Sequence, residues 1–267
     1  MKVGENEATA DETIGLAVLE RDLVEVDVRT EVNPSPPVAA RDLFRAEGAW
    51  SIGREGGDYL LALDPGGAGS TPLASARFAP GMDAVTIFAS ESPLRHLVYP
   101  VDQILMMYAL AHRGGVMLHA AGVGIEGRGY AFCGRSRAGK TTLSRQIAGA
   151  AEFVPLSDDR VVVRGVPGEH AVYGTPWPGE GQVAVNRAFP LAGLVFLARG
   201  PEHRLVRLSP GEALARILPV AAVPWFDPGP LAPILDYCGA LVESVPCWEL
   251  SFLPVPTVAD YLRKHLS

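Results

Sequence analysis

Between residues 130 and 144 the chain reads YAFCGRSRAGKTTLS: a short apolar run, a glycine, four residues, a second glycine, a lysine and two threonines. Gly134, Arg135, Ser136, Arg137, Ala138, Gly139, Lys140 and Thr141 fit the pattern G-x-x-x-x-G-K-[ST], with Thr142 behind it. Average residue usage produces this pattern in about one chain of such length in a hundred. Here it also follows a strand-like run and opens a helix-like one, as a phosphate-binding P-loop requires. The alternative is a glycine-rich turn before a helix. In a P-loop, backbone N–H groups of the loop and helix N-terminus point at the phosphates, where the helix dipole favours negative charge. Lys140 then adds a charge at the β/γ end, and the Thr141 hydroxyl ligates a magnesium ion bridging those phosphates. Nucleotide triphosphate binding is therefore expected, with ATP and Mg²⁺ as cofactors.

A second constellation, Asp158-Asp159, follows the strand-like FVPLS. One helix separates that strand from the loop, which predicts a βαβ unit whose right-handed crossover brings both strand ends to the same sheet edge. Beside a phosphate cradle, one carboxylate can hold magnesium and the other can take a proton from an attacking hydroxyl. Away from one, the pair would be ordinary solvated turn residues.

The remaining pattern predicts an α/β protein in two parts. Residues 16–28 alternate as a strand, and 49–63 form a hairpin turning on Gly56 and Gly57. A loop follows at 64–72, then a strand pair around Gly81, so that residues 1–95 read as a small β-rich domain behind a disordered first dozen. A helix near 100–113 carries Ile104, Leu105, Tyr108 and Ala111 on one face and stops at Gly114-Gly115. The divide is placed at 90–98, and residues 96–267 form the nucleotide-binding catalytic domain, a mixed sheet flanked by helices. Its expected elements are two strands joined by EGRG, a helix from Lys140 to about Ala150, and strands at EFVPLSDD, DRVVVRG, EHAVYGTP, LAGLVFLARG, LVRL and CWELSFL. Helices are expected at SPGEALARIL, with Ser209 as N-cap and Pro210 at the first position, at LAPILDYCGAL and at TVADYLRKHL.

Composition excludes several functions. A formal net charge of −7 argues against a nucleic-acid footprint, which needs a basic face. The opening MKVGENEATADE is too acidic and polar for a signal peptide, and the longest apolar runs are about half a bilayer span, so a cytoplasmic chain without a membrane partner is expected. Cys133, Cys238 and Cys247 lack metal-ligand spacing and read as reduced packing residues. The six histidines show no HxxxH or HExxH pattern. Lysine occurs only at Lys2, Lys140 and Lys264, so Lys140 is the single one away from a terminus.

These residues resemble the HPr kinase/phosphorylase superfamily, including the HPr-kinase-like enzymes found beside peptide-modification genes, and more remotely the ATP-dependent phosphoenolpyruvate carboxykinases. The resemblance runs from about His119 to Leu197. It rests on His119 in LHAAGVGI, the loop GRSRAGKT, the pair in LSDD, and Arg187 in VAVNRAFPLAGLVFL. It implies a P-loop kinase core that moves the γ-phosphate of ATP to a serine hydroxyl of a protein or peptide, with Lys140 on the phosphates, Thr141 on magnesium, one of Asp158 or Asp159 as general base, and His119 near the transferred phosphate. A free small-molecule acceptor, or nucleotide binding without transfer, fits the same residues. His119 reads equally as a hydrogen-bonded core histidine, and Arg187 as a surface cation. The chain departs from the family at Arg137, where a glycine is common, and at Arg135. It lacks the lysine motifs of a carboxykinase, and its first 90 residues match no amino-terminal domain of HPr kinases. The loop GTPWPGEGQ at 174–182 reads as a substrate-facing lid or a rigid surface turn. Exposed β edges leave a homo-oligomer open.

Overall fold

The computed structural model describes residues 37–39, 42–46, 49–63, 71–82, 84–89 and 100–266, and the backbone of 15–16, 24–25 and 27–32. These residues form two compact units that divide between His112 and Arg113. The expected divide at 90–98, the disordered first dozen residues and most of the 64–72 loop lie outside the described residues.

In the first unit, β1 (Gly15–Leu16) and β2 (Val24–Glu25) make a short antiparallel ribbon. The segment between them, part of the strand expected over 16–28, is outside the described residues. Six further strands form one sheet: β3 (Asp27–Val32), β4 (Asp42–Ala46), β5 (Trp50–Glu55), β6 (Asp58–Leu63), β7 (Ala74–Phe78) and β8 (Ala84–Ala89), in the order β3-β8-β7-β6-β5-β4. All pairs are antiparallel except β3 with β8. The β5–β6 hairpin turns on Gly56, whose φ of 62° is the left-handed geometry a two-residue hairpin demands. Helix α1 (Val101–Arg113) groups with this unit because Tyr108 sets its ring edge-on against Tyr59 and Phe78, at centroid distances of 4.8 and 5.8 Å. Such contacts add about 1 kcal/mol each beyond area burial.

The second unit is α/β, with a mixed sheet flanked by helices. Its strands are β9 (Gly115–Ile125), β10 (Arg128–Cys133), β11 (Phe153–Ser157), β12 (Arg160–Arg164), β13 (Ala171–Gly174), β14 (Ala188–Arg199), β15 (Arg204–Arg207) and β16 (Cys247–Phe252). Its helices are α2 (Lys140–Ile147), α3 (Pro210–Ile217), α4 (Pro228–Ser244) and α5 (Thr257–Leu266). Glu126 and Gly127 turn β9 into β10 with φ of 50° and 81°, the two positive values of a tight hairpin turn.

Strand β9 organises the site. It runs antiparallel to β10 on one edge, while on the other its second half pairs with β11 and its first half with β12. β10 and β11 are therefore parallel to each other with β9 between them. The expected βαβ crossover exists, but a strand preceding it in sequence has entered between its two strands. Beyond β10 lie β14 and β16, both parallel to it, and β15 closes that edge antiparallel. β12, β13 and β14 continue the pairing round to β10, so these strands form a closed circuit.

Alternation along the strands divides the core. Tyr130 and Phe132 of β10 join Leu143 and Ile147 of α2 and Val258, Leu262 and Leu266 of α5 in one buried cluster. Cys133, the next residue after Phe132, lines a cavity with Phe196, Ala215 and Val220 on the side of α3. Helix α5 is pinned through its last turn, where Tyr130 Oη and Arg128 both donate to the carbonyl of Leu266. Helix α3 begins as expected: Ser209 caps it in a reciprocal capping box with Glu212, and Pro210 follows. Cys133, Cys238 and Cys247 are free and buried. Burial pushes the Cys238 thiol up to about 12 and the Cys247 thiol up to about 11, so both stay protonated packing groups.

Candidate functional site

Two neighbouring strand ends converge on the middle of a third strand. β10 ends at Cys133 opposite Ala120 of β9, and β11 ends at Ser157 opposite Gly122. Each departing chain is then tied back to β9: Gly134 N donates to the His119 carbonyl at 3.2 Å, and Ala120 N donates to the Asp159 carbonyl at 3.0 Å. His119 thus lies between the start of the glycine loop and the aspartate pair. Gly122 leaves room for this arrangement, since a Cβ there would stand 2.7 Å from Val161.

The loop over residues 134–139 is a compact turn. Ala138 N donates to the Arg135 carbonyl at 3.0 Å, and Leu143 N reaches back to the Gly139 carbonyl at 2.8 Å. Gly139 has a φ of 108° and packs near Phe252, and a Cβ on Gly134 would stand 2.6 Å from that of Ala138. Arg137 also lies in the left-handed region, at φ 65°, where a side chain costs roughly 1 kcal/mol. This explains why a glycine suits the position. Lys140 is only 6 % exposed; its ammonium donates to the carbonyls of Gly134 at 2.9 Å and Arg135 at 3.3 Å. Burial holds its pKa below the ordinary lysine value, against the opposing pull of Asp159.

The two aspartates differ sharply. Asp158 is 2 % exposed, and its carboxylate accepts from the amides of Gly179 at 2.8 Å, Gly181 at 2.5 Å and Val183 at 3.2 Å. Both of its oxygens are occupied in pinning the loop that follows β13. Asp159 instead sets Oδ1 3.0 Å from Nε2 of His119 and Oδ2 3.7 Å from Nε of Arg160. The His119 hydrogen bond holds its carboxyl below the usual carboxylate range, with Arg160 and Lys140 adding to the effect against partial burial.

A cavity of about 410 Å³ collects these groups, with Ser136, Arg137, Gly139, Lys140, Thr141 and Thr142 on one wall. His119, Asp158, Asp159, Gly179 and Glu180 line the other. The glycine loop and the aspartate pair, separated in sequence by α2 and β11, therefore face one space. Gly134, Arg135 and Ala138 do not line it; Arg135 borders a separate cavity with Cys133 and Arg216. Arg187 does not line it either. Its guanidinium stacks over the Phe189 ring with the carbon 4.8 Å from the centroid, and its side chain is exposed.

The donors suit magnesium. Among the described residues no group of three or more His, Cys, Asp or Glu side chains could cage a metal. The Thr141 hydroxyl and the Asp159 carboxylate are hard oxygen donors on one cavity. Magnesium takes one or two such protein oxygens and completes its shell with phosphates and water.

The loop of residues 174–182 was legible as a Gly/Pro segment, but its attachment was not. It is held through its own backbone amides and the neighbouring one of Val183, which carry no side-chain signature and donate to the Asp158 carboxylate. The available signal was the pair Gly179 and Gly181, where a Cβ would stand 3.0 and 2.6 Å from Asp158 Oδ2.

No helix among the described residues is long and apolar enough to cross a membrane. The chain matches no protein-family model, and no curated protein is significantly similar to it.

Proposed function

We propose that the chain is an ATP- and magnesium-dependent kinase of the HPr kinase type, transferring the γ-phosphoryl group to a serine hydroxyl of a protein or peptide. The observation that carries this reading is the meeting of Lys140, Thr141, His119 and Asp159 around one cavity. A glycine-rich turn with no ligand would have no reason to face a carboxylate and histidine held together at 3.0 Å.

In this mechanism the amides of residues 136–141 and the Lys140 ammonium hold the phosphates. Thr141 is the residue that would hold magnesium, which when bound would supply positive charge to the phosphates. The serine oxygen attacks the γ-phosphorus, the bond from phosphorus to the β,γ-bridging oxygen breaks, and ADP leaves with that electron pair. The serine proton passes to Asp159. His119 fixes the orientation of this carboxylate through its 3.0 Å contact. The depressed pKa of Asp159 keeps it ionised at neutral pH. A weak base suffices, because a loose phosphoryl-transfer transition state asks more for positioning and charge neutralisation than for early proton removal. Asp158 stays with its three amides and holds the loop that roofs the cavity.

The test is MgATP binding by wild type and Lys140→Ala, followed by labelled-phosphate transfer to an array of serine-containing peptides. Binding lost in the variant together with phosphoserine in a peptide supports the reading. Transfer to a free amino acid or sugar instead would replace the acceptor class, binding without transfer would leave a regulatory module, and failure of the wild type to bind any triphosphate would sink the whole assignment.

A further inference from the structure

A transferring phosphoryl group spreads negative charge over three oxygens, and a kinase site neutralises it with cations beyond the lysine of the loop. The cations around this site can be sorted by what they touch. Arg187 is stacked on Phe189 and does not line the cavity. Arg160 does not line it either, and its Nε lies 3.7 Å from Asp159. Arg135 faces the separate cavity beside α3. Arg137 remains: it lines the phosphate-facing cavity with Lys140 and Thr141, it is exposed, and no hydrogen bond, ion pair or ring contact among the described residues engages its guanidinium.

Its backbone strengthens the case. Arg137 sits at φ 65°, a conformation that glycine takes freely and a Cβ opposes. Glycine would form this turn at least as well. What glycine cannot supply is a planar, permanently charged fork with several N–H donors, the geometry that matches phosphate oxygens. The cavity also carries Asp159 and Glu180, so a bound triphosphate adds to negative charge already present and raises the need for a second cation.

We propose that Arg137 is a catalytic residue, an arginine supplied in cis whose guanidinium donates to the γ-phosphoryl oxygens and strengthens that contact as the group transfers. This rests on the kinase reading above and places the charge-neutralising role at the loop tip.

The experiment compares wild type, Arg137→Gly, Arg137→Lys and Lys140→Ala for binding of MgADP and of MgADP with aluminium fluoride, a mimic of the transferring phosphoryl group, and for the melting temperature. Arg137→Gly is expected to melt no lower than wild type, to hold MgADP within about twofold, and to lose about 100-fold in affinity for the aluminium fluoride complex. Arg137→Lys, which keeps the charge and loses the fork, falls between them. If both Arg137 variants bind the mimic as tightly as wild type while Lys140→Ala does not, the role of Arg137 is overturned and the kinase reading stands. If wild type binds neither ADP nor the mimic, both are overturned. Equal loss of ADP and mimic in both Arg137 variants would make Arg137 a uniform nucleotide contact and overturn its assignment to the transferred group.

Discussion

Nε2 of His119 stands 3.0 Å from Oδ1 of Asp159, across the junction where β9 meets the chain leaving β11. The contact joins β9 to the bend between β11 and β12 on the lining of the cavity and gives the two neighbouring aspartates different work. Asp159 is held with its charge turned to the cavity; Asp158 is turned to the loop.

This difference yields opposite phenotypes for two similar substitutions. Asp159→Asn should leave the fold and MgADP binding largely intact and reduce phosphoryl transfer by about 100-fold or more. Asp158→Asn keeps one carbonyl oxygen for three amides. It should destabilise the fold by about 1–3 kcal/mol and speed hydrogen exchange at residues 179–183. Exchange mass spectrometry of the two variants beside a transfer assay decides the matter, and identical profiles would contradict the division of roles.

The acid side of the pH profile follows from the same contact. Asp159 has its pKa depressed, first by the His119 hydrogen bond, so its contribution to stability is present above the ordinary carboxylate pKa of about 3.9. It is lost as pH falls through the lower folded value. Replacing His119 with Ala should move the Asp159 titration upward, toward the ordinary value. Carboxylate titration followed by NMR tests this, and an unmoved Asp159 would remove His119 as the cause.

Lys140→Ala should weaken MgATP binding by at least about tenfold, since it deletes a charge–phosphate contact in a low-dielectric site. The loop should persist, because its turn is held by the Ala138 to Arg135 and Leu143 to Gly139 backbone bonds. Calorimetric titration with MgATP and MgADP, with circular dichroism as the check on fold, provides the measurement.

Gly124 and Gly129 face each other across β9 and β10, and a Cβ on Gly124 would lie 2.3 Å from the Phe189 ring. Gly124→Ala should therefore cost about 1–3 kcal/mol through overpacking. Adding Phe189→Leu should recover part of that loss. A double-mutant cycle by denaturant unfolding gives the coupling, and strict additivity would show that the ring does not fill this slot.

The elements with local signals were the ones readable from the chain alone. The 134–141 loop, the turn at Glu126-Gly127 and the Ser209 cap each owe their form to residues within a few positions. α2 is shorter than expected, ending at Ile147, where Ala148 takes an extended backbone and leaves the helix. The insertion of β9 between β10 and β11 had no such signal, because strand order depends on long-range pairing. Asp158 and Arg187 illustrate the same limit at the site. A carboxylate beside a phosphate loop reads as chemistry until three remote amides are seen to occupy it. An arginine before an apolar strand reads equally as a site residue or a surface cation, and its place over the Phe189 ring depends on a contact that no local pattern shows. Arg137 was visible only as a departure from a glycine; its backbone angle gives that departure a meaning.

The interleaving of β9 with the β10–α2–β11 crossover has a consequence for how such a site can be inherited. Most of the cavity lining, from His119 to Asp159, lies on one uninterrupted stretch of chain, while Gly179 and Glu180 come from a loop outside it that is tied down where three of its amides meet Asp158 and where the Val185 amide meets the Leu156 carbonyl. The stretch can pass between proteins as a cassette, and the roof can be rewritten in length and side chains so long as three amides still meet one carboxylate. Such edits alter the cover and leave the stretch beneath it unchanged.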